Sequence, residues 1–265
     1  MKGRSFSDTG TKSGAYKFGV KDEQEYKRDY RISAYAKTKK KSGWDCLRHY
    51  EILGSGTVPY FEDFDVSPAD SMAHLPKQLI LRLMELEGVS DGDIDMDVFN
   101  FEEYLCLADQ LLEYTRENLS SDAMAKYLLK TTQHEDAKNI LFLSGSEISD
   151  YVRDTLLMGL KSLMRDVAGG KVVDFVKHNF LYNIPVDTKP HDWSNEGFYG
   201  NGFTYAHWLD GRDEEDRSRL VERIKEKEFD LIIFGSIHRG MPFLDLVFEN
   251  YGKDDIVFVD GEDIH

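Results

Sequence analysis

The sequence predicts an α/β protein built on parallel sheets. Three observations carry that expectation. Short apolar runs at 31–36, 57–61, 140–143, 171–176, 230–234 and 256–259 have the length and β-branched content of buried strands. Amphipathic segments of helical period separate them. The run at 140–143, a helix over about 148–164 and the run at 171–176 have the spacing of a βαβ unit, which implies parallel pairing and a right-handed crossover. A chain of 265 residues can form one large α/β domain or two compact ones. The expected division is a mobile tail at 1–14, a first half at 15–135 and a second half at 136–265.

Taking the elements in order, residues 1–14 are rich in Gly, Ser, Thr and Lys and lack an apolar face, hence the tail. Residues 21–30 are charged and helix-prone. The run at 57–61 contains Pro59, which favours an edge or a strand start. A helix follows from Leu75, with Pro76 in its first turn and Leu79, Leu83 and Leu86 at helical spacing. The helix over 102–118 presents Leu105, Ala108, Leu111, Leu112 and Thr115 near one face, and Ser120-Ser121-Asp122 caps another through Lys130. In the helix over 148–164, Val152, Leu156, Leu160 and Leu163 are expected to point inward. Residues 213–228 read as a highly charged helix with Leu220 and Ile224 as a thin apolar stripe.

Composition bounds the function. Hydrophobic residues are 41% and charged ones 31%, a globular balance rather than a disordered one. The net charge of -16 disfavours broad binding to a nucleic-acid backbone or to anionic lipid. Cys46 and Cys106 have no CxxC or Cys/His spacing, so two buried thiols in a reducing compartment are expected. No run of 18 apolar residues is present, and 1–14 lacks the apolar core of a secretory signal. These features together predict a cytoplasmic protein with no membrane span.

Against that acidic background one stretch is basic. Lys37, Lys39, Lys40 and Lys41 precede a helix expected to open at Ser42-Gly43 and to end at Gly54-Ser55-Gly56. Cations beside the positive end of a helix dipole suit a phosphate or diphosphate. Arg48 and Glu51, three residues apart, share one face, and Cys46, Tyr50 and Leu53 line another. A cation and a carboxylate beside an anion site suit a nucleotide.

The segment Arg48-x-x-Glu51 followed by Gly54-x-Gly56-Thr57-Val58-Pro59-Tyr60 resembles the donor-binding segment of GT-B glycosyltransferases, most closely the exostosin-like ones. The resemblance spans about residues 30–85. It implies a glycosyltransferase that takes a nucleotide-sugar donor and a glycan or other hydroxyl acceptor. Glu51 would hold the donor ribose and Arg48 or Lys41 the diphosphate, with Lys40 and Gly43 in the same donor loop. It also implies Rossmann-like halves, the second resembling the acceptor-side domain. That family normally places the acceptor half first. The reversed order here implies either a circular permutation or a compact relative whose halves share one sheet.

Three strand ends in the second half are polar, the edge where open parallel sheets bind ligands: 144–147, 235–239 and 260–263. The first lacks G-x-G-x-x-G, which disfavours a dehydrogenase. Asp260, Glu262 and Asp263 offer carboxylates to deprotonate an acceptor hydroxyl, with His238 beside them as a further catalytic candidate. Arg239 and Tyr199 are candidates for holding an anion or an acceptor sugar. Each also reads as an ordinary polar loop.

Two acidic stretches raise the question of a metal. Residues 91–102 match the spacing of an EF-hand calcium loop, but Met96 stands where the turn needs glycine. Asp63-Phe64-Asp65 is similar to the Asp-x-Asp element of the other main glycosyltransferase fold, and is more simply a strand exit. No cofactor is required and no metal site is expected. Two rivals stay open: a non-catalytic nucleotide- or sugar-binding module, and an interaction protein whose lysine loop docks an acidic partner.

Overall fold

The computed structural model describes residues 4–7, 17–41, 43–146, 148–184, 198–212 and 215–261. The chain divides into two compact units, Met1–Ser120 and Ser121–His265. The α/β class with parallel sheets is as expected from the sequence.

The first unit is built on β1 (Arg4–Ser7), α1 (Glu23–Arg31), β2 (Ser33–Thr38), α2 (Leu47–Gly54) and β3 (Val58–Phe61), with the strands in one parallel sheet in the order β1-β2-β3. Strand β1 corrects the reading of 4–7 as part of a tail; the rest of 1–14 lies outside the described residues. A four-residue strand with one apolar side chain has no pattern of its own, and it is pairing with β2 that fixes it. Phe6 then stacks on Tyr35, and the buried Ser7 hydroxyl donates to Asp29 of α1 at 2.5 Å. On one face of the sheet Tyr26 and Tyr30 of α1 meet Ala36 and Ile52. On the other, Tyr35 packs with α3 (Lys77–Met84) and α4 (Phe101–Asn118). Two phenols tie this layer to backbone: Tyr35 donates to the Leu83 carbonyl at 2.7 Å, and Tyr104 to that of Ala34 at 2.9 Å.

The inward stripe of α4 is Tyr104, Leu107, Leu111 and Thr115, one step round from the expected one, and Leu105 is exposed. Tyr104 decides the rotation, because its ring is needed against Tyr35. The acidic stretch expected as a loop forms a small antiparallel hairpin of β4 (Val89–Ser90) and β5 (Asp93–Ile94), with Asp91 at its turn paired to Lys37 at 2.5 Å.

The second unit opens with α5 (Ser121–Thr131), which packs on α6 (Tyr151–Arg165). The unit therefore begins at Ser121, not at the polar stretch 131–138. Strands β6 (Asn139–Leu143), β7 (Lys171–Phe175), β10 (Leu231–Phe234) and β11 (Ile256–Phe258) form a four-stranded parallel sheet ordered β11-β10-β6-β7. A two-residue pair, β8 (Tyr182–Asn183) with β9 (Leu209–Asp210), lies outside it. Helices α7 (Leu220–Lys225) and α8 (Leu244–Asn250) pack with Leu141, Val173, Ile232 and Phe234 from the sheet. Helix α7 is much shorter than the charged run 213–228 suggested, since only Leu220 and Ile224 are buried to hold it. The chain leaves β6 toward β7 on one side and returns to β10 on the other. The crevice between the β6 and β10 carboxyl ends is thus a topological switch point. There Gly145 N–H donates to the Gly240 carbonyl at 3.1 Å, and a Cβ on Gly145 would lie 3.0 Å from the Arg239 carbonyl oxygen.

Gly159 sets the approach of α5 to α6: a Cβ there would fall 2.0 Å from the Ser121 carbonyl oxygen and 2.5 Å from its carbon, both backbone atoms. Gly159→Ala is expected to cost about 1–3 kcal/mol by overpacking, read as a lower denaturation midpoint. Gly54→Ala, at a helical position with nothing within 4 Å of the added Cβ, is expected to be neutral or to stabilise by up to about 1 kcal/mol.

Candidate functional site

In the first unit the lysine loop joins the carboxyl end of β2 to the amino end of α2. The helix opens at Leu47 with Cys46 as its N-cap, later than the expected opening at Ser42-Gly43. The cause is His49. Its ring is buried and Nε2 lies 2.9 Å from the Trp44 carbonyl, which can only accept, so Nε2 carries the proton. Nδ1 then accepts from the Thr38 hydroxyl at 3.0 Å. One neutral imidazole ties the last residue of β2, the loop and the helix together, and burial holds its pKa below the usual value. The inward face of α2 is His49, Ile52 and Leu53; Tyr50 is half-buried and donates to Asp45, and the Cys46 thiol is half-buried and pushed up by burial.

The loop's lysines differ in their partners. Lys37 pairs with Asp91, and Lys39 with Glu62 at 3.2 Å. Lys40 places its ammonium 5.7 Å from the centre of the Trp44 ring, while its backbone N–H donates to Asp63 Oδ2 at 3.1 Å. Lys41 donates its N–H to the Gly43 carbonyl. Desolvation, and then the neighbouring Arg48 guanidinium, pull the Lys41 ammonium below its usual value. Arg48 is half-buried in the first turn of α2, which carries no acidic residue and has no side-chain cap. Lys40, Lys41, Gly43 and Arg48 are therefore brought together. Glu51 is not aimed at them alone: its carboxylate accepts from the Tyr26 hydroxyl of α1 at 2.5 Å, and burial followed by that carboxylate drives the phenol's pKa up.

At the carboxyl edge of the second sheet, His238 Nε2 lies 2.9 Å from Asp260 Oδ1, so two of the catalytic candidates form a hydrogen-bonded pair. Arg239 reaches Asp150, the N-cap of α6, at 3.1 Å. The candidates Glu262 and Asp263 and the side chain of Tyr199 lie outside the described residues.

Beneath this edge lies a buried polar group that helical periodicity did not suggest. Arg153 is fully buried; it donates to Asp154 at 2.7 Å, to the Ser144 hydroxyl and to the carbonyls of Ser146 and Ile148. Val152, expected inward, is exposed instead. Asp174 of β7 takes Arg217, Lys161 and the Tyr182 hydroxyl on one oxygen. His178 is buried with no hydrogen-bond partner on either ring nitrogen. The only sequence signal for these was charge on an apolar stripe. A cavity of about 330 Å³ lined by Lys171, Arg219, Arg223 and Glu228 sits at the opposite, amino-terminal end of β7, and its Arg223–Glu228 pair is already closed at 2.6 Å. Among the described residues no three His, Cys, Asp or Glu side chains are grouped to hold a metal, and no helix is long and apolar enough to cross a membrane.

Burial and the Arg153 guanidinium push His178 down to about 3, with Asp174 and Asp150 opposing. A histidine kept neutral in the fold binds fewer protons than the same residue in the unfolded chain. Its contribution to stability is present above about pH 6.5 and is lost as pH falls toward about 3, at up to about 1.4 kcal/mol per pH unit. Asp154 acts in the opposite sense, because burial raises its carboxyl to about 6 despite Arg153. Acidification from 6 toward the ordinary carboxyl value of 3.8 therefore favours the fold through that residue. His178→Gln is expected to lose less stability than the parent between pH 6 and pH 4, measured as the slope of unfolding free energy against pH. Compared with protein-family models, with curated proteins and with solved structures, the chain matches none.

Proposed function

We propose that the protein binds a nucleotide-activated sugar through the β2–α2 loop and transfers the sugar to a hydroxyl acceptor. The observation that carries this reading is the cluster of Lys40, Lys41 and Arg48 around the start of a helix with no acidic residue in its first turn and no side-chain cap, in a chain of net charge -16. Cations gathered there in an acidic protein suit a ligand with two adjacent negative phosphates. The loop also lies at the carboxyl edge of a parallel sheet, where α/β folds bind ligands. The resemblance of 48–60 to glycosyltransferase donor segments supports the same ligand.

In this reading Lys40, Lys41 and Arg48 stabilise the charge that grows on the diphosphate as the bond from sugar to phosphate oxygen breaks. The second unit, taken by itself, carries the candidate group for activating a hydroxyl. Asp260 orients His238 through Nε2–H, which leaves Nδ1 able to take the proton of a hydroxyl acceptor. Arg239 is the candidate for holding the acceptor. No cofactor is required for this chemistry.

A thermal-shift panel of UDP, GDP, ADP and CMP and their sugars, with and without a divalent cation, tests the donor assignment. The matching nucleotide, at one hundred times its Kd, is expected to add about 2.7 kcal/mol of stability. Lys41→Ala and Arg48→Ala are each expected to weaken it about tenfold, or ~1.4 kcal/mol; unchanged affinity in both would overturn the assignment. His238→Ala and Asp260→Asn are expected to keep nucleotide binding while turnover of the sugar nucleotide falls by about a hundredfold or more. If the donor binds and the parent does not turn it over with any hydroxyl acceptor, the protein is a binding module.

A further inference from the structure

We infer that Asp63, rather than Glu51, is the carboxylate that reads the ribose hydroxyls of the bound nucleotide, an assignment that rests on the nucleotide reading above. Strands β2 and β3 are adjacent and parallel, with Thr38 opposite Phe61 in register. The segment β2–loop–α2–β3 is thus one mononucleotide-type βαβ unit. In such a unit the loop after the first strand faces phosphate. An acidic residue just past the end of the second strand lies one strand spacing away, within reach of the ribose. Asp63 occupies that place, two residues beyond β3.

One hydrogen bond, one charge interaction and one orphaned oxygen tie Asp63 to the loop. Its Oδ2 accepts the Lys40 backbone N–H at 3.1 Å, which joins the two carboxyl-edge loops directly. Its charge is felt by the buried His49, on the same turn of α2 as Arg48. Its other oxygen, Oδ1, is covered and has no hydrogen-bond partner. A carboxylate oxygen without a donor beside a cationic loop is a poor arrangement for stability alone. It becomes a good one for accepting a hydroxyl hydrogen bond once an entering ligand uncovers that oxygen. The neighbouring Glu62 is already paired with Lys39, and Glu51 already accepts from Tyr26. Among the described residues Asp63 is therefore the carboxylate at this edge with a buried oxygen and no donor for it, and the ligand it selects is a ribonucleoside diphosphate over a deoxy one.

The test compares ligands before it compares variants. The tightest of ADP, GDP, UDP and CDP is titrated calorimetrically against its 2′,3′-dideoxy counterpart. The parent is expected to prefer the ribose form by about tenfold or more, as expected when a buried acceptor loses its hydroxyl. Asp63→Asn, which keeps an oxygen for the Lys40 N–H, is expected to bind the two forms within about threefold of each other. Glu51→Gln is expected to keep the parent's preference. A parent that binds a diphosphate without discriminating overturns the assignment with no variant needed. A preference that survives Asp63→Asn, or one abolished by Glu51→Gln alone, overturns it in favour of another group. If none of the four diphosphates binds, the nucleotide reading itself falls, and this assignment with it.

Discussion

A parallel strand that ends inside a protein delivers its chain into a loop whose amides and carbonyls must be satisfied away from bulk water. Both units meet this constraint with a buried polar side chain on the following helix. In the first, the neutral ring of His49 bridges Thr38 at the end of β2 and the Trp44 carbonyl in the loop. In the second, the guanidinium of Arg153 takes up the carbonyls of Ser146 and Ile148 and the Ser144 hydroxyl after β6. A fully buried arginine is tolerable only because Asp154 pairs with it; removing either partner of such a pair costs about 3–5 kcal/mol. The loops that could carry function are in this way held by residues that do not themselves face a ligand.

The two anchors produce different edges. Beside His49 the helix supplies no anion of its own: α2 has no acidic residue in its first turn and no side-chain cap. At the start of α6 the helix end is already filled by carboxylates, since Asp150 caps the Arg153 N–H and Asp154 accepts the Asp150 N–H. The helix dipole favours an anion in both places, and of the two helices only α6 supplies one from its own start. That difference is the physical reason for seeking a diphosphate in the first unit and a neutral hydroxyl group in the second. It also accounts for Arg239 pairing with Asp150 at the second edge.

How much of the site was legible in the sequence depended on whether a role is local. The lysine cluster and Arg48 could be read directly, because charge density along the chain is a sequence property. His238 and Asp260 could be named as candidates but not joined, since the two residues sit on different loops and only the β10–β11 pairing brings them together. His49 and Arg153 were hidden by the pattern itself: a histidine between Arg48 and Tyr50 and an arginine between Val152 and Asp154 look like solvated positions. Only the demand of the loop carbonyls turns them inward. Glu51 shows the reverse, a carboxylate well placed along α2 that the packing of α1 supplies with a phenol.

By itself the sequence determined the α/β class, nearly all the strands of the two main sheets and the helices between them, because strand and helix periodicities are short-range properties of the chain. It also determined that the protein is acidic with one basic stretch. The tertiary structure decided strand order, and with it the switch point between β6 and β10. It decided β1, whose single apolar side chain becomes a strand only when β2 offers it a partner. And it decided which face of each helix is inside, since α4 is rotated by the need of Tyr104 for the distant Ala34 carbonyl, and α6 by the need of Arg153 to meet the folded loop that follows β6.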